Sequence, residues 1–254
     1  MPVSSAPFDQ IPLWGFGLSI VSLALSQLPP IKTWFSAPHV SAEVASRTGV
    51  FNAFGAVGYQ LYVSLRNDGN RAASVTGLRL RVKRPDGQEL LVPAEAYMRF
   101  VGGQGGSQVF PVTSIGMPSG GTWTETVMFR RPLTPEEDSR AGRLKVNIAQ
   151  SIFEGQQRGD GRHNPNGWAV ADAALVREAE LLFQKTELSI GSYELALMAD
   201  VNGRESVLKR LSLVIYDYHL LTLSSQMSDL KYGAGITMPM NPAKELWVIT
   251  SNLT

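Results

Sequence analysis

Apolar and polar residues alternate with a period of two along most of the chain after residue 51. In the first such stretch Val57, Tyr59, Leu61, Val63 and Leu65 form one row, and Leu78, Leu80 and Val82 form the next. This alternation gives a strand one buried and one solvated face, as in antiparallel sheets. Turn-forming residues at 67–70 and 85–87 bound the second row. The pattern therefore predicts two neighbouring antiparallel strands.

Similar alternation recurs further along the chain. The segments lie around 96–101, 122–129, 144–148, 193–201, 211–215 and 245–250, with Leu144, Val146 and Ile148 forming the third. About nine or ten short strands without alternating helices are typical of a sandwich. We therefore predict a mainly β, immunoglobulin-like antiparallel β-sandwich domain over residues 51–254.

Helical patterns are few. Residues 172–186 form an amphipathic segment that Asp172 can cap, and we predict a helical insertion there. Thr134 and Glu137 make a capping box for a short turn of helix, and 223–233 is a second short candidate. The helices are expected to pack on the sandwich.

The segment from Ile11 to Ile31 carries no charged residue. Gln10 to Ile31 would be about 33 Å long as a helix, close to the thickness of a hydrocarbon core. Trp14 and Trp34 stand near its ends, as aromatic residues do at membrane interfaces. We predict an N-terminal tail (1–10), a transmembrane helix (11–31) and a connector (32–50).

Two alternatives remain open for this segment: a buried element of a soluble core, and a cleaved signal peptide. Residues 1–10 contain no Lys or Arg, which argues against a signal peptide. Lys32 follows the segment, and the positive-inside rule then places the large domain in the cytoplasm. The expected location is the bacterial inner membrane, with a single pass through the lipid bilayer.

Small residues share one face of the predicted transmembrane helix. They are Gly15, Ser19, Ser22 and Ser26, at i, i+4, i+7 and i+11. Such a face lets another helix approach closely, so it predicts packing against a span of a partner subunit. The alternative is a simple anchor whose serines bond to their own backbone carbonyls.

The composition and net charge limit the kinds of ligand and cofactor that we expect. The net charge is +1, which gives no bulk attraction to nucleic acid. Charged residues make up 18% of the chain, below the roughly 25% of ordinary soluble domains. There is no cysteine, and His39, His163 and His219 are far apart. We therefore expect no metal site, no cofactor and no nucleic-acid partner.

Two glycine-containing loops, 101–108 and 154–167, are the candidate contact sites in the large domain. The first lacks the lysine of a phosphate-binding loop. The second carries a possible partner-binding group: Arg158, Asp160, Arg162 and His163. Asp160 and His163 are also an acid/base or metal-binding candidate, and a plain solvated insertion is the alternative. No GxSxG elbow is present, so we predict that the protein is not an enzyme.

The segment "LYVSLRNDGNRAASVTGLRLRVKRPDG" (61–87) and the later "LLFQKTELSIGSYELAL" resemble uncharacterised bacterial single-span membrane proteins with an immunoglobulin-like β-sandwich domain. The resemblance covers about two fifths of the chain and consists largely of strands and turns. It implies a fold and a location, and it brings no active site. A basic cluster just after the span is missing here.

These observations predict a non-enzymatic, membrane-anchored accessory or scaffolding subunit of a larger bacterial membrane protein complex. A respiratory or photosynthetic assembly is one host, and other membrane protein subunits are the expected partners. The alternative is a membrane-tethered sensing or ligand-binding module that uses loops 101–108 and 154–167. An enzyme acting through Asp160 and His163 is the third hypothesis.

Overall fold

A computed structural model describes residues 22, 39–52, 54, 56–101, 106–160, 169–184, 188–238 and 245–253 of the chain. Ten strands lie in this part: β1 (Val40–Asn52), β2 (Val57–Asn67), β3 (Ala73–Lys83), β4 (Glu89–Val101), β5 (Gly106–Pro111), β6 (Ile115–Met117), β7 (Thr122–Arg130), β8 (Gly191–Val201), β9 (Arg204–Ile215) and β10 (Leu246–Asn252). Three helices have described bounds: α1 (Pro135–Arg158), α2 (Ala173–Gln184) and α3 (Asp217–Ser228). A 3-10 turn, Asp229–Tyr232, follows α3.

Eight of the strands form a closed antiparallel barrel. Their order is β4, β7, β2, β1, β10, β9, β8 and β3, and β3 then pairs with β4 to close the ring. Closure runs from Arg79 opposite Pro93 to Lys83 opposite Glu89. The two remaining strands extend the sheet from the barrel strands, β5 beside β4 and β6 beside β3.

The barrel interior is filled by apolar side chains. Apart from the half-buried Val57, the inward rows predicted in 57–82 and 193–215 are buried, and Leu61, Leu65, Leu80, Phe129, Leu195 and Leu213 are among the most completely enclosed residues. A second apolar cluster lies among the helices, where Phe54 joins residues of α1, α2 and α3. The structure therefore has one core inside the barrel and one in a helical layer.

The predicted immunoglobulin-like sandwich is wrong, although its mainly antiparallel β character is correct. A sandwich needs two sheets that pack face to face. Here β3 hydrogen-bonds with both β8 and β4, so the sheet curls round to meet itself. Closure leaves none of the eight barrel strands as a free edge.

The predicted strand around 144–148 is also wrong, because these residues lie within α1. The buried residues of α1 are Ala141, Leu144, Ile148, Ile152 and Gly155, which repeat every three or four positions. Val146 is 63% exposed. The helix begins at the predicted capping box, where the Thr134 hydroxyl accepts from the Glu137 N–H and the Glu137 carboxylate accepts from the Thr134 N–H. The helix that was expected to be a single turn is therefore 24 residues long.

The predicted transmembrane segment, residues 11–31, lies outside the described residues except for Ser22, which is helical and exposed. Among the helices of the described part, none is both long enough and apolar enough to cross a lipid bilayer.

Candidate binding surface

Most of the predicted N-terminal site residues lie outside the described part of the chain. Those residues are Gly15, Ser19 and Ser26 of the small-residue face and the flanking Trp14 and Trp34. The packing of this face against a partner helix stays a prediction.

The structure describes one half of the predicted partner loop. Arg158 ends α1, and its Nε lies 3.1 Å from Oδ2 of Asp160 in an exposed ion pair. Such surface pairs contribute little to stability, typically under about 1 kcal/mol. Arg162 and His163 lie outside the described residues, as do 102–105 of the other loop. The two loops therefore remain sequence predictions.

A solvent-facing group of aromatic and apolar side chains lies on the outer face of β9 and β10 and at the start of α3. We call it the aromatic surface, and it consists of Val214, Tyr216, Tyr218, Trp247 and Ile249. Between 37% and 68% of each of these residues is exposed. The alternation in β10 explains the placement, since Leu246, Val248 and Thr250 point inward. Their neighbours Trp247 and Ile249 must then point outward.

The tyrosine rings of this surface are held in a fixed arrangement by His219. The rings of Tyr216 and Tyr218 are nearly parallel, with centroids 5.7 Å apart and an interplanar angle of 10°. The imidazole of His219 lies edge-on to Tyr218 at 4.1 Å. Its Nδ1 accepts a hydrogen bond from the backbone N–H of Tyr216 at 3.2 Å. The residue is only 4% exposed, so it supports the two exposed rings from below.

A groove of about 430 Å³ runs along the aromatic surface. Besides the rings, it is lined by the side chains of Arg47, Ser212 and Ser251. Arg47 is its one charged lining residue when His219 is neutral. The exposed Arg47 guanidinium forms no ion pair with a carboxylate of the described residues. The groove therefore combines flat apolar surfaces with one exposed positive charge.

Trp247 separates this groove from a second, smaller hollow of about 190 Å³. The hollow is lined by Phe51, Met128 and Leu246 among others and is mostly apolar. The indole N–H of Trp247 donates to the Glu245 carboxylate at 3.1 Å, and its six-membered ring covers Gly49. A Cβ at Gly49 would lie 3.3 Å from this ring, so glycine leaves the indole room to lie over β1.

The aromatic surface was not singled out from the sequence. The sequence pattern of residues 245–250 predicts only a final strand. The signal was the outward row, since Trp247 and Ile249 stand where a solvated sheet face normally carries polar residues. The run Tyr216-Asp217-Tyr218-His219 is a second signal, but only the fold brings it beside β10.

Burial lowers the pKa of His219 below its ordinary value of 6.5, while the Asp217 carboxylate acts in the opposite direction. The unfolded chain therefore takes up this proton at a higher pH than the folded state does. His219 thus contributes stability above pH 6.5 that is lost as the pH falls toward the lowered folded-state pKa. Protonation would also remove the Nδ1 acceptor that holds the Tyr216 N–H.

We expect the free energy of unfolding to decrease between about pH 7.5 and about pH 5.5, and this decrease to be smaller in His219→Asn. Urea unfolding of both proteins across this range measures the effect. Carboxylates begin to titrate at the acid end of this range in both proteins. The slope of His219→Asn therefore measures their contribution without that of His219. Equal slopes for the two proteins would contradict the assignment to His219.

No group of three or more His, Asp or Glu residues in the described part is arranged to hold a metal ion. No protein-family model matches the chain, and no curated protein matches it. Among solved structures, one similar chain is described as the ApaA protein of Bordetella pertussis. The two share 9% sequence identity with a TM-score of 0.30, and the match covers 71% of this chain and 96% of the other.

Proposed function

We propose that the protein is a non-enzymatic accessory subunit that binds a partner through the aromatic surface. The single observation that carries this proposal is the exposure of Tyr216, Tyr218, Trp247 and Ile249 side by side on a folded barrel. Tyr, Trp and Arg are the residues that contribute most at protein interfaces. Arg47 lines the same groove as these rings, so all three residue types are present on this surface.

The outer face of β3 and β8 differs from the aromatic surface. Neighbouring strands there are linked by ion pairs such as Arg79 with Asp200 at 3.0 Å and Lys83 with Glu194 at 3.2 Å. Such pairs suit a face that stays in water, because both charges keep part of their hydration. A face that exposes rings and a guanidinium with no ion pair among the described residues gains more from a partner that covers it.

Site-directed crosslinking in the protein's own cells tests the proposal. A photoreactive amino acid at Ile249, which is 68% exposed, should join the protein to a discrete partner. Trp247→Ala and Tyr218→Ala should each reduce that product by at least about tenfold, as expected for hot-spot residues. Phe153→Ala removes a comparably exposed ring from α1 and should leave the product unchanged. Equal yields from all variants would contradict the proposal.

Association with a larger complex at the bacterial inner membrane is also part of the proposal, and it rests on the amino-acid sequence of residues 11–31 alone. Cell fractionation tests it. Recovery of the whole protein in the soluble fraction would contradict that part and would leave the role of the aromatic surface standing.

A further inference from the structure

The groove beside the aromatic surface offers three kinds of group to a ligand. Tyr216, Tyr218 and Trp247 present flat apolar rings. Ser212 and Ser251 face each other across the β9–β10 pair and present hydroxyls, which both donate and accept. Arg47 presents a guanidinium, which prefers a planar oxyanion with two acceptors. A matching ligand must therefore be apolar on one face, rich in hydroxyls at its rim, and negatively charged.

We infer that the groove binds an oligosaccharide that contains a uronic acid. The C–H groups on one face of a pyranose ring form a flat apolar patch, which stacks on aromatic rings. Its hydroxyls lie at the edge of the ring, within reach of serine side chains beside such a stack. A uronic acid adds one carboxylate per residue, the planar anion that a guanidinium binds bidentately. This inference rests on the proposed binding role of the aromatic surface, and the oligosaccharide is the part of the partner that enters the groove.

The pairing of β1, β10 and β9 brings these groups together on one face of the sheet. Arg47 on β1 is the register partner of Ile249 on β10, and Ser251 is the partner of Ser212 on β9. Because Ser251 is two residues further along β10 than Ile249, the charge and the hydroxyls lie in adjacent rows that extend over three neighbouring strands, spaced about 4.8 Å apart. Groups spread over this distance suit a short saccharide chain better than a single monosaccharide. The volume of about 430 Å³ lies within the range of small-ligand sites.

Gly49 contributes to the aromatic surface by leaving space for the indole of Trp247. Because it has no side chain, the six-membered ring of Trp247 covers β1 at this point. The Trp247 N–H is bonded to Glu245, which fixes the indole orientation. A ring that is already fixed loses little conformational freedom when a ligand stacks on it.

Calorimetry and intrinsic tryptophan fluorescence of the full chain test the inference with named probes. The uronate probes are tetragalacturonate and tetramannuronate, maltotetraose is the neutral comparator, and hexaglutamate is the acidic peptide comparator. At least one uronate should bind at concentrations up to about 10 mM, and both comparators should bind at least about tenfold more weakly. Arg47→Gln should weaken uronate binding by at least about tenfold, and Phe153→Ala should not change it.

Trp247→Ala and Tyr218→Ala should each abolish or strongly weaken uronate binding. Two variants are used so that the test remains valid if one of them fails to fold. Absence of binding by both uronates overturns the inference, as does binding of hexaglutamate or maltotetraose as tight as that of the uronates. Unchanged affinity in Arg47→Gln also overturns it. If uronates fail to bind while the crosslinked partner still depends on Trp247, only the ligand class is wrong, and the proposed function stands.

Discussion

Phe129→Ala is expected to lower the free energy of unfolding by about 3–5 kcal/mol, the range for large-to-small changes of buried aromatic residues. Phe129 is completely buried on β7, opposite Tyr59 of β2 and Ala94 of β4. Its ring fills the barrel where three strands meet, and the closed sheet can relax little around the cavity. Denaturant unfolding measures the change, and Tyr62→Ala is the control. Tyr62 lies on β2 and is 51% exposed.

The control should lose less than about 1 kcal/mol, because it removes a ring that is half in water. If Phe129→Ala and Tyr62→Ala lowered the free energy of unfolding equally, the assignment of inward and outward rows in the barrel would be incorrect.

Asn67→Asp is expected to cost about 3–5 kcal/mol at neutral pH, since it buries a charge against carbonyl groups. Asn67 is fully buried at the end of β2. Its Nδ2 donates to the carbonyl oxygens of Arg71, Met117 and Pro118 at 2.7, 3.2 and 3.1 Å. Its Oδ1 accepts from the Gly69 N–H at 3.1 Å. An ionised carboxylate keeps that acceptor but turns every donor contact into a repulsion.

Asn202→Asp is the matched control. Asn202 is exposed, and its Oδ1 accepts from the Ser74 N–H at 2.7 Å, a bond that a carboxylate can also make. Its expected cost is below about 1 kcal/mol. Urea unfolding compares both variants with the wild type. The penalty at residue 67 should shrink as the pH falls, because a protonated carboxyl regains one donor. Equal costs for the two variants would contradict the role of Asn67.

Most of the strands could be predicted because their rows alternate strictly, as in 57–65 and 193–201. The barrel could not, since an inward row looks the same inside a sandwich and inside a closed sheet. What decides between them is that Leu80 on β3 pairs with Val92 on β4 as well as with Leu197 on β8. Alternation within one strand does not identify its neighbours.

The error at 144–148 has a different cause. Leu144 and Ile148 are four residues apart, a spacing that fits both periods, and Val146 between them completed an apparent strand. The capping box at Thr134 indicated a helix start, but its length depended on the buried residues further along.

The candidate site could not be predicted from the sequence for a third reason. Its parts come from residues 47, 212–219 and 247–251, which are distant along the chain. Only the pairing of β10 with both β1 and β9 makes them neighbours. In the sequence each part looks like an ordinary strand or helix end.

The position of β10 also has a consequence for biosynthesis. Among the described strands, β10 is the last to leave the ribosome, yet it lies between β1 and β9. A nascent chain that has reached only residue 245 therefore holds two unpaired edges, which can pair with other chains. Completion of the barrel joins residues about 200 positions apart, such as Arg47 and Ile249, so closure is a late and slow step. Protection by a chaperone in this interval would keep these edges from pairing with other chains.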